Sequence, residues 1–189
     1  MSQDIGSVTR RRRALFGAAA LALINTDRPG TADALTDARW LTANLAAWGV
    51  RLDQPVAEAD LAAFRDLRTT LRATARAVVA GATLTAAELA GLNAILAVTP
   101  VMAQVMPDGD RYVIDMTPVA SNWRELGVRE IAGSFASMLR ADPTRLRICA
   151  APDCDTAFWD DTRSRTRTWC DTRTCGNRVR VQRHRDANR

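Results

Sequence analysis

The sequence predicts a mainly helical α+β protein: a helical body with one small β-hairpin, then a compact four-cysteine unit ending in a basic helix. Three observations carry this. Apolar residues recur at three- and four-residue spacing from about residue 14 to residue 139, the pattern of helices with one buried face. The period breaks once, around Pro107-Asp-Gly-Asp110, where two short apolar runs flank a turn. All four cysteines fall near the C-terminal end, as Cys149-x4-Cys154 and Cys170-x4-Cys175 with fifteen residues between the pairs.

The elements follow in order. Arg10-Arg-Arg-Arg13 and the apolar run Ala14–Ile24 have the outline of a twin-arginine export signal. That run is too short to span a bilayer, and Ile24-Asn-Thr-Asp27 offers no small-residue cleavage site. A first amphipathic helix ending near Thr26 is expected instead. Thr31 to Gly49 reads as a second helix, with Leu35, Trp40, Leu41, Leu45 and Trp48 at helical spacing and Gly49 as its C-cap. A long third helix runs from Pro55 to Ala80, closed by Gly81. Leu61, Phe64, Leu67, Leu71, Ala75 and Val78 form its apolar stripe, and Arg65, Arg68, Arg72 and Arg76 are expected on a solvated face. Thr85-Ala-Ala-Glu88 is a capping box opening a fourth helix over Ala86–Ala97, which Thr99-Pro100 ends. Val101–Val105 and Arg111–Met116 make the hairpin, and Pro118 breaks the chain after it. Trp123–Leu139 is the fifth helix, with Leu126, Ile131, Phe135 and Leu139 inward, ended by Asp142-Pro143.

Two close pairs of thiols on tight turns suit a tetrahedral ion, and a four-thiolate set suits Zn2+. Two disulfides fit a small secreted domain better than this chain, in which 148 cysteine-free residues come first. Unpaired buried thiols and an iron–sulfur cluster are the other readings; the arginine-rich surroundings are unlike the apolar pocket that usually houses such a cluster. A unit of about forty residues buries little core, so the metal would supply most of its folding free energy. Reduced cysteines in turn imply a reducing, cytoplasmic compartment.

The sequence inside the unit is more specific than its spacing. It reads Cys149-Ala-Ala-Pro-Asp-Cys154, Phe158-Trp159-Asp160, Arg163-Ser-Arg-Thr-Arg-Thr-Trp169-Cys170, and Cys175-Gly176-Asn177-Arg178. This resembles the CGNR-type zinc finger from Leu146 to about His184. Asp171-Thr172 departs from it, standing where that family usually has a small and then an apolar residue. The resemblance implies a zinc-ribbon- or treble-clef-like finger in which Cys149, Cys154, Cys170 and Cys175 hold Zn2+. The front part resembles the ABATE domain, the usual companion of such fingers in stress-induced transcription regulators. Ala22-Leu-Ile-Asn-Thr26, the Trp40-Leu41 and Trp48-Gly49 region, and Leu89-x-x-Leu92-Asn93 carry that likeness. Two domains are therefore expected, 1–144 and 145–189.

Charge is distributed unevenly. All 26 basic residues are arginine, which for the chain as a whole suits a GC-rich coding bias. From Thr162 to Arg189, however, nine arginines face two acids, a net +7 against +5 for the entire chain. The first 161 residues are thus slightly acidic, and the C-terminal end is a basic surface. Arg163, Arg165, Arg167, Arg173, Arg178, Arg180, Arg183, His184 and Arg185 are the expected nucleic-acid contacts. Guanidinium groups pair with phosphates and with guanine edges. Arg178 is equally suited to neutralising the Zn–thiolate cluster, and it or Arg173 to pairing with Asp160.

The expected function is therefore a zinc-dependent duplex-DNA-binding regulator. A single finger needs a second half-site contact, so a homodimer is expected as well. The front domain is the natural place for a small-molecule signal or a dimer contact. An RNA-binding protein and a protein-interaction module are the alternatives, although Phe158, Trp159 and Trp169 read as finger core rather than base-stacking platforms. No P-loop, dinucleotide loop or Ser/His/Asp set is present, and four cysteine ligands leave no open position for a catalytic water, so an enzyme is not expected.

Overall fold

The structure is a computed structural model that describes residues 18–188. The Arg10–Arg13 run and the export-signal reading attached to it lie outside the described residues. Helix α1 covers 18–24, and its Ala19, Ala20, Leu23 and Ile24 are buried in the main core. Then come α2 (Ala38–Ala47), α3 (Glu58–Val79), α4 (Ala86–Ala97), β1 (Val101–Asp108), β2 (Arg111–Pro118), α5 (Trp123–Ala141), β3 (Leu146–Ile148), β4 (Ala157–Trp159) and α6 (Asn177–Ala187). The architecture is the expected one, helical body, antiparallel hairpin β1–β2, and a finger built from hairpin β3–β4 and a C-terminal helix.

Helix α3 is the hub, touching α2, α4, α5 and β3. Leu61, Phe64, Leu67, Leu71 and Ala75 are buried along its stripe, and Val78 packs against the same core. The helix starts at Glu58 rather than Pro55, because Asp60 accepts the Ala57 amide at 2.8 Å and caps the first turn there. Capping also explains why 31–49 is not one helix. Asp33 accepts the Leu35 amide and Asp37 the Arg39 amide, so the segment splits into a 3-10 turn (Ala34–Thr36) and α2. Gly49 ends α2 at φ +84°, its amide returning to Ala46 and that of Val50 to Leu45, a Schellman closure. The capping box of α4 forms as read, with Thr85 and Glu88 exchanging backbone amides. In α5 Trp123, Gly127, Ile131, Ala132 and Phe135 are buried and Leu139 packs against the same core, whereas Leu126 is only half-buried and outside the core cluster. Gly127 is there for proximity: a Cβ at that position would lie 3.1 Å from Leu45 and 3.2 Å from Phe64.

The arginines of α3 do not form a solvated face. Arg68 is buried and pairs with Asp33 at 2.5 and 2.9 Å, donating also to Thr26. Arg72 reaches the carbonyls of Ile24 and Asp27, and Arg65 the carbonyl of Leu35. Arg76 pairs with Asp155 of the finger at 3.0 Å. Arg65, Arg68 and Arg72 thus lace the irregular 24–37 connection, whose carbonyls lack ladder partners, to the hub helix.

Arg68 holds the Asp33 carboxylate below its usual range, chiefly by hydrogen bonding and against the cost of burial. A depressed folded value means that this stabilisation is complete above the unfolded value and disappears as pH falls through the folded one. Arg68→Ala should lower stability at pH 7 by about 2 kcal/mol and the melting temperature by roughly 4–8 °C. In melts from neutral pH downward, the gap between the two proteins should begin to narrow at about pH 4 and shrink further as the pH falls.

Candidate metal centre and basic surface

The finger is built on two turns. The first lies between β3 and β4, which pair Leu146 with Trp159 and Ile148 with Ala157. Cys149 ends β3 and its amide bonds to the Thr156 carbonyl; Cys154 closes the turn by donating to Ala151, with Asp153 at φ +58°. The second turn is a π-type turn, Thr172–Gly176, leading directly into α6. Asp171 caps it, accepting the amides of Arg173 and Thr174. The departure from the CGNR pattern at this position thus installs a carboxylate cap.

The turns bring all four sulfurs within 4.8 Å of one another. Cys154 and Cys170 are 3.9 Å apart, Cys170 and Cys175 3.7 Å, Cys175 and Cys154 3.7 Å. A Zn–S distance of about 2.3 Å requires a tetrahedral edge of about 3.8 Å, so these spacings fit the ion. They are far too long for disulfides, and all four cysteines are free. The titration of the thiols shows the same crowding. Burial, hydrogen bonding with Cys175 and Cys149, and the charges of Cys149 and Cys154 push Cys170 up to about 12, and burial raises Cys175 as well. Burial would also raise Cys154, but hydrogen bonds from Thr156, Cys149 and Cys175 outweigh it and bring it down to about 7. A divalent cation removes this mutual repulsion, and the cluster is a Zn2+-binding one.

Besides Thr156 at Cys154, two donors support the sulfurs. The Cys170 amide donates to Cys149 Sγ at 3.4 Å, and Arg178 Nη2 lies 3.9 Å from Cys175 Sγ while donating to the Pro152 carbonyl at 3.1 Å. Arg178 therefore ties the second turn to the first across the metal. Gly176 has ordinary helical angles, so it does not serve a special turn. A Cβ there would sit 3.3 Å from the Trp169 ring, which packs on the cluster.

Residues 17–142 match the family model ABATE, described as "Putative stress-induced transcription regulator", and residues 145–187 match the CGNR zinc finger. The chain belongs to the ABATE family. No curated protein matches it. The two families are regulators and zinc fingers by description, not enzymes. No helix among the described residues is long and apolar enough to cross a membrane.

The ABATE body grips the first zinc turn directly, a feature sequence reasoning missed. Asn25 makes two hydrogen bonds of 2.8 Å to the backbone of Ala157, one through its carbonyl oxygen and one through its amide. Arg28 reaches Thr156, whose hydroxyl lies 3.3 Å from Cys154 Sγ. Asn25 stands inside the Ala22–Thr26 run that carries the ABATE likeness, which was its one sequence signal. Strand β4 serves both sides: Ala157 and Trp159 belong to the body core, and Phe158 between them to the finger core with Cys149 and Cys175.

The basic residues divide into two groups. Arg165 pairs with Asp142 at 2.9 Å. Arg167 donates to the carbonyls of Trp169 and Cys170 and lies over the Phe158 ring at 5.0 Å. Arg167 and Arg178 thus hold the finger together, and Arg165 ties it to the end of α5. Arg163, Arg173, Arg180, Arg183 and Arg185 are exposed and make no side-chain hydrogen bond or ion pair among the described residues; Arg173 adds only its charge beside Asp171. His184 meets Asn188 at 3.1 Å. Asp160 pairs with neither Arg173 nor Arg178. It is fully buried and accepts from the Thr162 hydroxyl and amide and the Arg167 amide, so it organises the loop; only Asp161 makes a loop ion pair, 3.7 Å from Arg167.

Arg178→Ala should lower zinc affinity by roughly ten-fold or more, read by competition with a chromophoric chelator under reducing conditions. Arg180→Ala should leave zinc affinity unchanged in the same titration.

Proposed function

We propose that this ABATE-family protein is a cytoplasmic, zinc-dependent transcription regulator that binds duplex DNA. Cys149, Cys154, Cys170 and Cys175 are the zinc ligands of a finger spanning 145–189. The body, 1–144, receives a signal, such as a small molecule, or brings two copies together. The observation that carries the reading is the division among the arginines. Arg165, Arg167 and Arg178 are taken up by partners within the protein, and five others stand exposed on and around the helix that follows the second cysteine turn. Beyond the half-buried Val179, every described residue of α6 is exposed, so the helix projects from the zinc platform as a groove-entering element would.

The aromatic residues favour duplex over single-stranded partners. Phe158 lies under Arg167, Trp169 packs on the metal cluster, and Trp159 packs on the body core. None is left as an open platform for an unstacked base. Four thiolates also complete a tetrahedral shell, which suits a structural rather than a catalytic zinc.

Neutralising about five phosphates gives a log–log salt slope near −4 to −5 for duplex binding. Arg180→Ala and Arg183→Ala should each reduce the slope by about 1 while weakening binding across sequences. Fluorescence anisotropy over a salt series measures this, and a slope near zero would end the DNA reading.

A further inference from the structure

The hairpin β1–β2 carries its apolar side outward. It pairs Ala103 with Met116, Val105 with Ile114 and Pro107 with Tyr112, so these six share one face. That face is turned to water: Val105 is 70%, Tyr112 79%, Ile114 63% and Met116 51% exposed. The opposite face mixes Met102, Met106 and Val113 with Gln104, Asp108, Arg111, Asp115 and Thr117, and there Met106, Asp108, Val113, Asp115 and Thr117 are half-buried. An antiparallel ribbon with one covered side normally places its apolar residues inward and its polar ones outward. A two-stranded ribbon is also marginal by itself in water. The exposed fractions leave roughly 500 Å2 of mostly apolar surface open, near the upper end for a monomer.

We infer that this face packs against the same face of a second copy of the chain across a two-fold axis. The inference deepens the two-copy part of the proposed function by giving it a surface. The area argues for it: two such faces bury about 1,000 Å2, the lower limit for a specific interface. Charge argues for it too. A two-fold contact sets the face against an identical face, and this one has no charged group to meet a like charge. The +7 segment lies elsewhere in the sequence, and the remaining 161 residues carry a net −2.

The strand edges argue against open-ended pairing instead. Asp108 and Arg111 close the two-residue turn Gly109-Asp110, with Gly109 at φ +66°. Counting from that bonded pair, Pro107 of β1 and Pro118 of β2 occupy positions whose backbone groups point away from the ladder. Each free edge therefore lacks an amide donor, which blunts both strands against further pairing. The face remains. Stacked tip to base, Tyr112 would lie over Ala103 and Met116 of the partner subunit, a large residue over a small one, with sulfur at the ring edge.

Sedimentation velocity of the zinc-loaded full chain, without DNA, from about 1 to 100 μM tests this. The wild type should show a reversible monomer–dimer equilibrium. Ile114→Asp should weaken it by roughly 30-fold or more, and Tyr112→Ser by less, with zinc content and far-UV circular dichroism unchanged in the milder variant. A wild type that stays monomeric, or a dimer indifferent to both substitutions, would overturn the inference. Because DNA is absent, neither result bears on the duplex reading, and loss of DNA binding would leave the dimer intact.

Discussion

Four thiols within 4.8 Å of one another are the constraint on which the C-terminal quarter of the chain depends. Deprotonated, they concentrate more negative charge than a small buried site can hold; protonated, they are ordinary weakly polar groups with little to organise. A divalent cation resolves the conflict and turns two short turns into a rigid platform. The surrounding chemistry is consistent with that. The Cys170 amide points at a sulfur, and Arg178 spans from Cys175 to the opposite turn. The CGNR tetrapeptide can then be read physically. Its cysteine is one of the four clustered thiols, its glycine makes room for Trp169, its asparagine opens α6, and its arginine links the two turns.

The platform is not an isolated module hung on a linker. Strand β4 is three residues long and serves two cores, because alternate side chains of a strand point to opposite faces. Asn25 and Arg28 bind the backbone and hydroxyl immediately after Cys154, and Arg76 pairs with Asp155. Any rearrangement of the α1–α2 connection would therefore be felt at the first zinc turn. These contacts tie the α1–α2 connection and α3 of the body to the first turn of the finger.

Much of this was legible in the sequence, for identifiable reasons. The cysteine spacing, the α4 capping box and the Asp-Gly turn are local signals, and each formed where local chemistry required it. What was not legible was long-range. The arginines of α3 repeat beside an apolar stripe as any solvated helix face would; nothing local says that Arg68 meets Asp33 thirty-five residues away. The single helix expected over 31–49 failed because two aspartates compete for backbone amides, a signal that was present but outweighed by apolar periodicity. Leu126 was expected inward because it is large, whereas α5 approaches its neighbours through Gly127, where a missing side chain is the contact. Among the basic residues, charge alone could not separate Arg165, Arg167 and Arg178, which are taken up by partners within the protein, from the five that face outward.

In the function we propose, the thiolate cluster holds a basic helix against a specific duplex. Selection of genomic duplex fragments by the zinc-loaded protein, with Cys170→Ala selected in parallel and both pools sequenced, tests it most directly. The account predicts enrichment of a shared site by the wild type and its loss in the variant. Equal, uniform recovery by both proteins would mean that the arginines are a charge patch indifferent to the metal, and would contradict it.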